Sequence, residues 1–150
     1  MEKYFYTYDA FLKDIHQLVE KIDFQFDAII GIARGGLTLA HFLGEYYNIR
    51  KVYALNTIGY NDIQKLPSVE VLSLPEITNA KDVLIVEDIV DSGDTLAEVL
   101  KILKEKYPET NFKTASLFYK KSARIVPDWA VQEADKWIEF FWTFDMKRDT

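Results

Sequence analysis

Two carboxylates, Glu87 and Asp88, stand side by side in "VLIVEDIVDSGDTLAEVL", residues 83–100, directly after four apolar residues. Directly after the next apolar pair, Ile89-Val90, Asp91-Ser92-Gly93-Asp94-Thr95 opens a stretch with helical spacing. A glycine-containing turn at a helix N-terminus offers backbone N–H groups to an anion. Gly93 tolerates positive φ and admits a phosphate close to the backbone, and Ser92 and Thr95 add hydroxyl donors. Free carboxylates would repel that phosphate unless a positive centre lay between them. Mg²⁺ suits such a place, since it takes carboxylate oxygens and bridges substrate oxygens. Carboxylates also stabilise a sugar oxocarbenium ion as its charge develops. Taken alone, residues 91–95 also read as a plain turn with an N-cap. The succession of apolar strand, acid pair, turn and helix is what sets the stretch apart.

A second constellation is Ala33-Arg34-Gly35-Gly36, where a short apolar run ends in a glycine pair. Arg34 is able to make forked hydrogen bonds to phosphate oxygens. The plainer reading is a strand-to-helix turn with a solvated arginine. A third is Tyr119-Lys120-Lys121, at the end of "KTASLFYK".

The elements that must position these residues alternate. Phe11, Ile15, Leu18 and Ile22 recur at helical spacing and predict a helix over residues 7–22. The apolar run 28–33 predicts a strand buried on both faces, followed by a helix over 37–47 and a strand over 51–57. Residues 59–78 carry two prolines and turn residues around a short alternating piece at 69–74, and read as a flexible loop or loose hairpin. A strand over 82–90 precedes a helix over 95–107, for which Thr95 and Glu98 suggest a capping box. A strand over 113–120 and two strand-like pieces, 126–132 and 137–144, complete the chain. Strands alternating with helices predict an α/β fold with a mostly parallel sheet. Ligands of such sheets bind at the carboxyl ends of the strands, where all three constellations fall.

The chain of 150 residues suits one domain with a real core. Its net charge of −6 disfavours nonspecific nucleic-acid binding. With no cysteine there is no disulfide, thiolate nucleophile or cysteine zinc site. The first residues lack the pattern of a signal peptide, and no apolar run approaches the ~20 residues of a membrane span. These features suggest a cytoplasmic protein. His16 and His41 fall on predicted helices without metal-ligand spacing, and both read as structural.

"VLIVEDIVDSGDT" resembles the phosphoribosyl pyrophosphate signature of type I phosphoribosyltransferases: four apolar residues, two acids, two apolar residues, then Asp-Ser/Thr-Gly-x-Thr. The resemblance implies that Glu87 and Asp88 contact the ribose hydroxyls, directly or through Mg²⁺. It implies that residues Asp91, Ser92, Gly93, Asp94 and Thr95 hold the 5′-phosphate, with Asp91 also placed to exchange a proton with the base. Two departures stand out: Glu87 replaces the usual Asp, and Asp94 brings an extra negative charge to a variable position. "IIGIARGGL" resembles the family's pyrophosphate loop, with Ala33, Arg34, Gly35 and Gly36 as its members and Ala33-Arg34 as the candidate for a cis peptide. Gly59-Tyr60 matches the position of a Ser-Tyr pair in the family's mobile lid. "SLFYKKSAR" and "EADKWIEFFW" resemble the base pocket of bacterial xanthine–guanine phosphoribosyltransferases. There Lys120 would donate to O6 of a purine, Trp137 would stack on it and Ile138 would read its edge through the backbone. For Trp137 and Trp142 core packing is the plain alternative.

The resemblance therefore implies an α/β phosphoribosyltransferase-type domain with a small C-terminal hood over about 120–145. The expected reaction is Mg²⁺-dependent transfer of phosphoribose to guanine, xanthine or hypoxanthine, in a homodimer or homotetramer. The other readings are a non-catalytic domain sensing phosphoribosyl pyrophosphate or a nucleotide, and transfer to a non-purine acceptor.

Overall fold

The computed structural model describes residues 2–60 and 68–147. Its elements run β1 (Lys3–Tyr6), α1 (Tyr8–Lys21), β2 (Ala28–Ile32), α2 (Gly35–Tyr47), β3 (Val52–Tyr60), β4 (Ser68–Ser73), β5 (Asp82–Val90), α3 (Asp94–Lys106), β6 (Asn111–Tyr119), β7 (Trp129–Glu133), β8 (Trp137–Phe140) and α4 (Phe141–Phe144). Among the described residues six strands form a sheet in the order β4-β3-β2-β5-β6-β7. Every neighbouring pair in it is parallel except β3 with β4. A second, two-stranded sheet joins β1 and β8 in parallel, with Tyr6 opposite Phe140.

All five residues of β2 are buried, as befits a central strand covered on both faces. One face packs Ile29, Leu84 and Val86 against Phe11, Ile15 and Leu18 of α1 and Leu39 and Leu43 of α2. The other packs Ile30, Val83 and Ile85 against Leu96, Val99 and Leu103 of α3. Helix α1 starts where the Thr7 hydroxyl accepts from the Ala10 N–H at 3.2 Å, satisfying one of the helix's free amides. Tyr6 donates to Asp14 at 2.7 Å, and Gln132 donates to the same carboxylate oxygen at 2.7 Å. This buried network ties β1 and β7 to α1 and satisfies polar groups that burial would otherwise penalise. Burial, reinforced by the Asp14 hydrogen bond and charge, holds the Tyr6 phenol far above its ordinary range.

Several boundaries differ from the expectations. Helix α2 takes in Gly35 and Gly36, two residues earlier than predicted. Strand β3 runs on to Tyr60 because it gains a partner: Gly59 faces Val69 and Tyr60 faces Ser68 across the antiparallel ladder. Of the loop or loose hairpin expected over 59–78, the pairing of β3 with β4 bears out the hairpin, and residues 61–67 lie outside the described residues. Its return is tied down where the Tyr107 hydroxyl donates to the Pro75 carbonyl and accepts from the Ile77 N–H, both at 3.0 Å. Thr95 is not an N-cap. Gly93, at φ 84°, precedes the helix, Asp94 begins it, and no side-chain capping bond forms. The piece 137–144 is strand only as far as Phe140 and then turns helical. Strand β1 had no counterpart in the sequence reading.

Candidate functional site

The β5 strand carries Glu87 and Asp88 half-buried at its carboxyl end. Burial, with the charge of Asp88 adding to it, pushes the Glu87 carboxyl up to about 8. Burial also raises Asp88, against the opposing effect of the Ile89 N–H that donates to its carboxylate at 2.8 Å. Two adjacent acids held this way strongly favour a positive charge between or before them. Among the described residues no cluster of three or more His, Cys, Asp or Glu forms a metal cage. A carboxylate pair alone nevertheless fits Mg²⁺, which fills its octahedral shell with waters and substrate oxygens.

Asp88 also meets the neighbouring loop. A Cβ on Gly35 would overlap the Asp88 carboxylate, so only glycine admits this approach. The Ala33-Arg34 peptide is cis, as the resemblance anticipated. The Arg34 side chain is exposed and makes no ion pair or hydrogen bond with the described residues. Residues 33–35, Glu87 and Asp88 line a pocket of about 590 Å³ together with Trp142, Thr143 and Lys147.

After β5 the chain turns through 91–95 into α3. Lys120 sits beside this turn because its N–H donates to the Val90 carbonyl at 2.9 Å, continuing the β5–β6 ladder. Its ammonium lies 2.8 Å from Asp91. Lys121, one residue on, turns instead to Glu133 at 3.4 Å. Asp91 and Lys120 line a second pocket of about 800 Å³ together with Ile89, Trp137, Ile138 and Phe140. The two pockets share Phe140, Thr143 and Lys147 as a common wall.

Trp137 is 56% exposed, so core packing does not account for it. Its indole N–H donates to Glu139 at 3.1 Å, a carboxylate that Lys3 also approaches at 3.5 Å. Trp142 does pack, stacked on Phe140 at 4.6 Å and 8° and edge-on to Phe11. The structure therefore gathers Glu87, Asp88, Asp91, Lys120, Trp137, Ile138 and residues 33–35 along one rim of the sheet. Gly59 and Tyr60 lie on a strand end rather than in a loop. The sequence reading did not include Thr38, Thr143 or Lys147. Thr38, one helical turn beyond Gly35, was legible from spacing. Thr143 lies in the piece 137–144 expected to be strand, and Lys147 lies beyond it.

His16 and His41 are exposed, on α1 and α2. His41 lies 3.7 Å from Glu45.

A mostly parallel sheet with its ligand-sized pockets at the strand ends defines an α/β domain of the ligand-binding kind. Residues 5–149 match the phosphoribosyl transferase domain family, and the chain belongs to it. It is 32% identical over 147 residues to the xanthine-guanine phosphoribosyltransferase of Cereibacter sphaeroides, covering 91% of this chain and 84% of that one. Its fold superposes on Helicobacter pylori xanthine-guanine-hypoxanthine phosphoribosyltransferase with a TM-score of 0.89 and 40% identity, over 97% of this chain and 96% of the other. A purine phosphoribosyltransferase from Pyrococcus horikoshii gives a TM-score of 0.82 at 29% identity, with both chains covered throughout. No helix among the described residues is long and apolar enough to cross a membrane.

Proposed function

We propose that this chain transfers the phosphoribosyl group of phosphoribosyl pyrophosphate to a 6-oxopurine, giving a nucleoside monophosphate and pyrophosphate. The carrying observation is the pocket that brings Asp91, Lys120, Trp137 and Ile138 together beside the 91–95 turn. In the reaction the C1–oxygen bond to pyrophosphate breaks and a bond from C1 to a purine ring nitrogen forms. Residues 91–95 hold the 5′-phosphate through turn amides and hydroxyls. Arg34, exposed beside Gly35, takes the pyrophosphate. Glu87 and Asp88 face the ribose and oppose the positive charge that develops at C1. They would also hold Mg²⁺, which neutralises the leaving pyrophosphate when bound.

Asp91 accepts the proton that the purine nitrogen sheds. Lys120 has three donors and spends one on Asp91. The others are left for the exocyclic oxygen, which suits guanine, xanthine or hypoxanthine over a 6-amino base. Trp137 supplies a stacking face. Gly59 and Tyr60, the last residues of β3, are assigned to a lid over the reacting centre. We read residues 1–150 as one domain, working in the cytoplasm as a homodimer or homotetramer. Exposed Leu37, Tyr46 and Val52 on the α2 and β3 flank support a contact between copies.

Incubating the protein with Mg²⁺, donor and a panel of guanine, xanthine, hypoxanthine, adenine and orotate tests the proposal by pyrophosphate release. Release with 6-oxopurines is expected. Release with orotate or adenine alone, or tight donor binding without release from any base, would overturn it.

A further inference from the structure

Asp94 sets a carboxylate at the first helical residue of α3, inside the turn that the proposed function gives to the 5′-phosphate. A helix N-terminus favours that acid, but a phosphate at the same amides is opposed by it. The loop after β6 supplies what the turn lacks. Lys120 N–H is fixed to Val90, Ala123 N–H to the Lys120 carbonyl at 3.0 Å, and Arg124 N–H to the Ser92 carbonyl at 2.8 Å. The loop lies so close that a Cβ on Gly93 would stand 2.9 Å from Ile125 N and 3.0 Å from Ile125 O. From this docked backbone the Arg124 guanidinium reaches the Asp94 carboxylate at 3.4 Å. One loop thus presents two cations to the two acids that flank the turn, Lys120 to Asp91 and Arg124 to Asp94.

We propose that Arg124 is a positioning residue for the sugar-phosphate substrate: it holds the Asp94 carboxylate toward the loop and cancels its charge, so that the 91–95 turn accepts a phosphate dianion. This rests on the reading of 91–95 as the phosphate site. The pair is well exposed on the arginine side, 65% against 34% for Asp94. Such pairs contribute little to folding. The role is therefore electrostatic at the site rather than structural. Arg124→Ala keeps the backbone bond to Ser92 and removes only the guanidinium.

Titration with ribose 5-phosphate, which carries the phosphate without pyrophosphate or base, tests this by calorimetry and by amide shifts of residues 92–95. In the parent chain the shifts centre on those residues. Arg124→Ala weakens binding about fivefold, as expected for losing one exposed charge pairing of about 1 kcal/mol. In the Asp94→Asn background the same change costs less than about twofold, because no charge is left to cancel. Arg124→Lys keeps most of the affinity. An equal loss in both backgrounds, or no loss in the parent while residues 92–95 still shift, overturns the inference and leaves the site standing. Shifts that bypass residues 92–95 in the parent overturn the site, and the inference with it.

Discussion

Residues 87–95 form a continuous run, and their geometry is set by backbone: a strand end, a glycine at φ 84° and a helix start. The region under the hood is assembled differently. Lys120 comes from the end of β6, Trp137 and Ile138 from β8, and β8 is held by β1 from the far end of the chain. The first region tolerates few side chains, as the overlap between a Gly35 Cβ and the Asp88 carboxylate shows. The second is lined by Trp137 and Phe140 and rests on a buried aromatic cluster in which Tyr6, Phe118 and Phe140 meet edge to face at 4.9–5.9 Å. Backbone-built pockets bind groups common to a whole family, whereas side-chain walls set which partner fits. The difference suggests that donor recognition is fixed at 87–95 and acceptor choice is adjusted under the hood.

Asp91 belongs to both regions, through the turn and through Lys120, so its loss is expected to be the most damaging. Asp91→Asn keeps the shape and removes the proposed proton acceptor. Turnover should fall by about 10²–10⁴-fold, with a smaller change in donor binding, as measured by steady-state kinetics against donor concentration. Equal losses in both would assign Asp91 to phosphate binding alone. Next comes Trp137→Ala, expected to raise KM for the purine about tenfold, within the range of a lost base–aromatic stack. Donor affinity should be unmoved. A donor effect as large as the purine effect would erase the division between the regions.

The smallest effect concerns stability. Glu87 ionises near 8 in the folded chain against an ordinary 4.5. Between those values the folded chain keeps a proton that the unfolded chain has lost. The stabilisation from this group is complete below about pH 4.5 and is lost as pH rises through 8. Glu87→Gln removes the dependence. Its Tm should exceed that of the parent at about pH 8.5, by roughly 2–4 °C for each kcal/mol relieved in a chain of this size. The two should converge below about pH 5, which thermal melts of the unliganded proteins across pH would show. A constant gap at all pH values would mean that the strand end is not electrostatically loaded.

What was readable in the sequence follows the same division. Val83 to Thr95 declared itself because strand, acids, turn and helix are neighbours in the chain and each has a local rule. The hood did not. Lys3 to Tyr6 are four residues with no clear alternation, and their partner strand lies at Trp137–Phe140. "WIEFFWTF" is apolar nearly throughout, so periodicity could not separate strand from helical turn. Gly59 and Tyr60 were read as loop because their strand character comes from pairing with β4, a tertiary gain invisible to local propensity. Thr95 and Glu98 matched a capping box, but Gly93 in the left-handed region starts the helix one residue earlier. The Asp94 departure was legible and its answer, Arg124, was not, since the two are brought together only by the loop crossing from β6 to β7.

The parallel β1–β8 ladder bears on how the molecule is made. On the ribosome Lys3–Tyr6 is made before every other strand and helix described, yet its partner Trp137–Phe140 is made more than a hundred residues later. Residues 87–95 and the strands β2 and β6 beside β5 are all made before that partner. Synthesis therefore supplies the proposed purine wall after every other part of the proposed site.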